Sequence, residues 1–221
     1  MLRERFEADP SDRAAFELLE EQLFLAGEWT ELVPLYEAHN AASASTRTPA
    51  EQARLLFRLA QAIEEGLRDA TRAAATYRSA LELDPAFVPA LRRLRGVCLA
   101  AGNFVEAIDL AAREVSLAPS PEPAAGLVEI GERALAAGDA TAAIQSFERA
   151  LEFRADEPHA LSGLARGLEG AGRLNEAVAA WERAARRLSG ARRSDAIRAL
   201  GALLAGPLAD GEQALQHFQR A

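Results

Sequence analysis

One short pattern constrains this chain more than anything else in it: a small residue, an aromatic four positions later, and an alanine three after that. It stands at Ala73-Tyr77-Ala80, Ala143-Phe147-Ala150, Ala177-Trp181-Ala184 and Ala214-Phe218-Ala221. Spacings of i, i+4 and i+7 put each trio on one face of an α-helix. The small residues let another helix come close, and the aromatic fills the gap beside them.

A second pattern leads each trio by about a dozen residues, with apolar side chains at i, i+3 and i+7 and a small residue at i+4. It reads Leu56-Leu59-Ala60-Ile63, Leu127-Ile130-Gly131-Ala134, Leu161-Leu164-Ala165-Leu168 and Ile197-Leu200-Gly201-Leu204. Two helices per unit follow. Turn signals lie between them at Gly27-Glu28, Gly102-Asn103, Gly138-Asp139 and Gly172-Arg173, where glycine takes the left-handed conformation that ends a helix. Between units come Asp84-Pro85, Ala118-Pro119 and Thr48-Pro49-Ala50-Glu51, the last offering a capping threonine, a first-turn proline and a glutamate placed to complete a capping box.

The first residue of the trio steps from 73 to 107, 143, 177 and 214, at intervals of 34, 36, 34 and 37 residues. With Leu59-Ala60, Ala73-x-x-x-Tyr77 and Pro85, and again Leu164-Ala165 and Ala177-x-x-x-Trp181, the chain resembles the tetratricopeptide repeat family. The initial tryptophan of that pattern is replaced by Phe16, Leu56, Leu91, Leu127, Leu161 and Ile197. The resemblance covers essentially the whole chain. It implies an all-α fold, an α-solenoid of antiparallel helix pairs stacked into a right-handed superhelix. Residues 1–221 then form a single array, with 1–10 the tail of a preceding second helix and about six repeats at 11–40, 50–85, 88–119, 124–155, 158–189 and 194–221.

Two units depart from the pattern. The first puts Glu20 in the small slot and His39 where alanine is expected, and the stretch from His39 to Glu51, poor in apolar residues, reads as a loop. The third has Arg95 in the small slot and Ala111 where the aromatic belongs, so either the Arg95 stem uses the space beside Ala111, with Glu114 near enough to neutralise it, or both charges reach solvent. Leu2–Pro10 aligns with Tyr77–Pro85, so the chain begins inside a second helix and stops inside another at Ala221. Without capping units, it reads as a piece of a longer array or an array whose ends associate.

Chemistry is hard to place on this sequence. There are 25 basic residues, all arginine, against 33 acidic ones, a net charge of −8, which repels nucleic acid and anionic membranes. The absence of lysine removes Schiff-base chemistry and a phosphate-loop lysine. His39, His159 and His217 occupy unrelated slots, and the single Cys98 has no partner at ligand spacing, so no metal, cofactor or catalytic residue is expected. Cys98 fits a reducing compartment, and with no apolar leader or membrane-length run the chain reads as cytoplasmic. The stretch Arg183, Arg186, Arg187, Arg192 and Arg193 reads as a polar inter-repeat loop.

Binding has an obvious place. The family resemblance implies a concave groove lined by first helices that receives an extended peptide or a helix of a protein partner. The residues expected there are Glu17, Glu21 and Phe24, then Phe57, Gln61 and Glu64, then Arg92, Arg93 and Leu99. Val128, Glu132 and Leu135 follow, then Ser162, Arg166 and Glu169, and finally Arg198. Arg92 and Arg93 suit a carboxylate, through paired hydrogen bonds. The expected function is a non-catalytic interaction scaffold. The alternatives are an assembly module that associates through its ends, or the regulatory arm of a larger enzyme or sensor.

Overall fold

The computed structural model describes residues 1–117 and 124–206, and every regular element among them is helical. The expected trio Ala214-Phe218-Ala221, the Ala118-Pro119 break and His217 lie outside the described residues. The chain divides into two compact units, Met1–Val97 and Cys98–Ala221, the boundary falling inside one helix.

The first unit holds α1 (Leu2–Ala8), α2 (Arg13–Ala26), α3 (Trp29–Ser43), α4 (Pro49–Gln61), α5 (Ala70–Leu83) and most of α6 (Val88–Ala100). The second holds α7 (Phe104–Leu117), α8 (Ala125–Ala136), α9 (Ala140–Phe153), α10 (Pro158–Gly170), α11 (Leu174–Arg187) and α12 (Gly190–Ala205). Within the first unit α2 pairs with α3 and α4 with α5. Within the second, α8 pairs with α9 and α10 with α11, while α9 packs on α10, α11 on α12, and the first helices α8 and α10 touch each other.

Local chemistry sets the hairpin boundaries. Gly27, Gly102, Gly138 and Gly172 have φ of 70°, 73°, 78° and 71°, the left-handed region that costs a side chain about 1 kcal/mol or more. Each next helix starts within two residues, and Asp139 caps α9 by accepting the Ala142 N–H at 2.9 Å. Asp12 and Asp69 cap α2 and α5 in the same way. The Thr48 hydroxyl accepts the Glu51 N–H at 3.3 Å, and the Glu51 carboxylate accepts the Thr48 N–H at 2.9 Å, so the expected capping box forms.

The small residues of the repeat lie in the core: Ala60, Ala73, Ala80, Ala143, Ala150, Ala165, Ala177 and Ala184 are all wholly buried. Two local expectations need correction. The segment read as a loop from His39 is helical to Ser43, leaving only residues 44–48 outside α3 and α4. The reason is burial, since His39 is 1% exposed and belongs to the core face of α3. The arginine stretch is no loop either: Arg183, Arg186 and Arg187 lie in α11 and Arg192 and Arg193 in α12, joined by buried Leu188 and a turn at Gly190 with φ of 57°. In addition, α4 widens into a π-helix over Ala62–Leu67. That turn brings Gly66 against the Trp29 indole, where a Cβ would lie 2.4 Å from Cγ.

Candidate functional site

Four of the hairpins deliver one aromatic from the second helix, Tyr36, Tyr77, Phe147 or Trp181, into the seam beside their own first helix. Phe147 of α9 shows this most simply. It is wholly buried, and a Cβ on Gly131 of α8 would fall 2.7 Å from its ring, while one on Gly163 of α10 would fall 2.3 Å from it. Gly131 stands four residues after the start of its first-helix pattern and Gly163 two residues after the start of the next. Those two registers are the walls of the aromatic slot. Ser146 beside it is wholly buried and donates to the Leu127 carbonyl of α8 at 2.6 Å, so the seam leaves that hydroxyl satisfied.

The fold is of the tetratricopeptide-repeat type. The same two registers in the first repeat hold Glu20 of α2 and Arg58 of α4, around Tyr36 of α3. Glu20 is 8% exposed; it accepts a hydrogen bond from the Tyr36 hydroxyl and pairs with Arg58. The Arg58 guanidinium also lies over the Tyr36 ring, 5.8 Å from its centre. A phenol needs a polar partner when buried, whereas phenylalanine needs none. Glu20 is therefore a matched substitution for the small residue of the pattern.

Tyr77 of α5 repeats the solution in altered form. Its hydroxyl donates to Glu64 at 2.7 Å and accepts from Arg93 Nε at 3.4 Å, and Arg93 also pairs with Glu65. Arg58 and Arg93 occupy the same register, two residues after Leu56 and Leu91. Burial pushes both phenols well above their ordinary range, Glu64 adding to the effect at Tyr77. In the fifth repeat Glu169, in the register of Glu64, accepts from the Trp181 indole N–H.

These contacts sort the residues expected to line a groove. Glu64, Arg93 and Glu169 are engaged by the aromatic seam. Phe57 is half-buried between Tyr77 and Phe87, at ring separations of 5.7 and 5.2 Å. Leu99 is 9% exposed, buried with neighbouring Val97 and Cys98 because the apolar face of α6 is wider than a single stripe. Glu132 and Arg166 meet across α8 and α10, and Arg198 pairs with Asp195 one turn away, both surface pairs worth roughly 0–1 kcal/mol. Val128, Ser162 and Gln61 are half-buried, while Arg92 is exposed. Arg95 lies in the first unit, Ala111 and Glu114 in the second.

The first unit also contains a cavity of about 410 Å³ between α2 and α4, floored by Leu32 and Tyr36. Phe24, Trp29, Glu21 and Gln61 form its rim. Phe24 is 56% exposed and meets the Trp29 indole edge-on at 5.5 Å. Trp29 and Arg58 were not among the residues expected here. The usable signal was the pairing of tyrosine, in place of phenylalanine or tryptophan, with an arginine two residues after the start of the next first-helix pattern.

No family model matches the chain, and no curated protein matches it. Solved tetratricopeptide-type structures are similar to it. The crystal structure of MamA is 21% identical over 71% of this chain and 89% of its own, with a TM-score of 0.47. YrrB, described as a TPR protein with an unusual peptide-binding site, is 21% identical over 76% of this chain and 84% of its own, with a TM-score of 0.46. A tetratricopeptide repeat protein from Parabacteroides merdae is 16% identical over 99% of this chain and 82% of its own, with a TM-score of 0.49. Among the described residues no group of three or more His, Cys, Asp or Glu side chains is placed to hold a metal ion, and no helix is long and apolar enough to cross a membrane.

Proposed function

We propose that this chain is a protein-interaction scaffold and that the first-helix faces of its repeats receive a polypeptide segment of a partner. The cavity rimmed by Phe24 and Trp29 carries this reading. Its volume of about 410 Å³ lies within the ~300–1,000 Å³ range of ligand-binding clefts. A half-exposed phenylalanine at its edge gains by being covered, at roughly 25 cal/mol per Å² of apolar surface. In the first unit the partner contacts Phe24, Gln61 and Arg92. In the second, Val128, Glu132, Ser162, Arg166 and Arg198 offer a more polar face of the same kind. An apolar partner side chain enters the cavity, and Glu21, which makes no ion pair among the described residues, favours a basic residue beside it.

The test is selection of a displayed random-peptide library on the intact chain, followed by titration of the selected peptides. Phe24→Ala is expected to weaken them by about tenfold or more, as for an anchor residue, with an unchanged circular dichroism spectrum. Peptides that bind the variant as tightly as the parent would remove the cavity from the reading. A library that yields no binder would remove the reading itself.

A further inference from the structure

The first unit has a second cavity, of about 440 Å³, bounded by the start of α2, the end of α3, the turn at 44–48 and the start of α4. Four guanidiniums, Arg13, Arg47, Arg54 and Arg58, face it against two carboxylates, Glu17 and Glu51, a local surplus of positive charge in a chain of net −8. Two of these arginines are already answered. Arg13 pairs with Glu17 at 2.7 Å and Arg58 with Glu20. The Glu51 carboxylate accepts the Thr48 N–H and hydroxyl at 2.9 and 2.7 Å.

Arg47 is held differently. His39 stacks on Phe16 with ring centres 3.9 Å apart and planes 15° from parallel, and its Nδ1 lies 2.6 Å from the Pro10 carbonyl oxygen. A carbonyl only accepts, so Nδ1 carries the proton. A guanidinium only donates, so Nε2, which meets Arg47, must offer its lone pair. The ring is therefore neutral, and it orients Arg47 without cancelling its charge. The second terminal nitrogen of Arg47, Nη1, is buried with no hydrogen-bond partner among the described residues. Arg54, exposed on α4, makes no ion pair among them.

We infer that this cavity binds a phosphate-type dianion, with Arg47 and Arg54 as its principal ligands. Arg47 and Arg54 make no ion pair among the described residues, so even with Glu51 nearby the cavity keeps a net positive charge that attracts an oxyanion, and their donor forks match its oxygens. An unsatisfied buried donor is costly, and a small turn of the Arg47 guanidinium towards the cavity lets an oxyanion oxygen satisfy it. A neutral imidazole behind the arginine fixes its direction in the way that outer-shell partners fix a binding group. Its principal ligands, Arg47 and Arg54, lie apart from the Phe24 and Trp29 rim, with Arg58 alone lining both cavities, and the site stands whether or not that rim binds a peptide.

Two probes test it on the intact chain at constant ionic strength: inorganic phosphate, and a short peptide carrying phosphoserine beside its unphosphorylated twin, each followed by calorimetry against a chloride control. Saturable one-to-one binding is expected, weakened about tenfold or more by Arg54→Gln and by Arg47→Gln, since each removes a charge-assisted contact. Arg54 is exposed, so its variant keeps the fold and isolates the contact. Equal affinity for the two probes supports a free phosphate compound as ligand, and a much tighter phosphopeptide supports a phosphate borne on a polypeptide. Absence of saturable binding by both probes, or affinities that neither substitution changes, overturns the inference.

Discussion

Replacing Gly163 by alanine tests the aromatic seam directly, because two large effects oppose each other there. Alanine is a better helix residue than glycine by about 1 kcal/mol, so on propensity alone the change stabilises α10. The new Cβ, however, would fall 2.3, 2.4 and 2.7 Å from Cζ, Cε1 and Cε2 of Phe147. The shortest of these is about 1.2 Å inside ordinary carbon–carbon contact. The ring has nowhere to go. It is wholly buried, and Gly131 on the opposite wall leaves no room for a Cβ of its own. Overpacking a filled site costs about 3 kcal/mol when the neighbour cannot yield. The net expectation is a loss of about 2 kcal/mol, or about 4–8 °C in Tm for a chain of this size. Urea unfolding followed by circular dichroism measures it, with Gly96→Ala as the control. A Cβ at Gly96 meets nothing within 4 Å, so the same substitution there is expected to gain about 0.5–1 kcal/mol. Phe147→Leu should cost less in the Gly163→Ala background than in the parent, by about 1 kcal/mol of coupling. If Gly163→Ala raises the unfolding midpoint as Gly96→Ala does, the ring is not confined and the account of the seam fails.

Two further outcomes follow from the first repeat. Glu20→Ala leaves the buried Tyr36 hydroxyl without its partner, while the half-exposed Arg58 turns to water, and is expected to cost about 2 kcal/mol, whereas the triple change Glu20→Ala, Tyr36→Phe, Arg58→Ala should recover most of it, since it converts the slot to the apolar form seen around Phe147. Urea midpoints of the two variants decide this, and a triple variant less stable than the single one would contradict it. For His39, burial lowers the folded pKa below the ordinary value of 6.5, and Arg47 adds to the shift against the Pro10 carbonyl, which favours the proton. With Arg47, Arg13 and Glu17 as its charged neighbours, the unfolded chain binds the proton first on acidification. The stability that His39 contributes is thus complete above pH 6.5 and falls away as the pH drops from there through the folded pKa. Unfolding midpoints between pH 7.5 and 5 should slope downward more steeply in the parent than in His39→Gln, and parallel slopes would show that His39 does not titrate in the core.

Much of the fold was written locally. The alanines of the repeat, the glycines that turn each hairpin and the Thr48 capping box act within a few residues of themselves, so spacing alone located them. The interval near 34 residues then fixed which helices are first and which are second. Residues answering to a partner further away were legible only as misfits. Glu20 broke the pattern because its partner Arg58 is supplied by the next hairpin, and His39 looked like the start of a loop because Pro10 and Phe16, which bury it, come from the segment before.

Periodicity in the sequence determined that this chain makes helical hairpins and where they bend, since turns and caps are short-range physics. Tertiary structure decided what fills the slot between successive first helices. A phenylalanine demands two glycines there, and a tyrosine admits a carboxylate and a guanidinium. That choice depends on the polar tip of a side chain some twenty residues away meeting two different helices at once, and no single stretch of sequence contains all three.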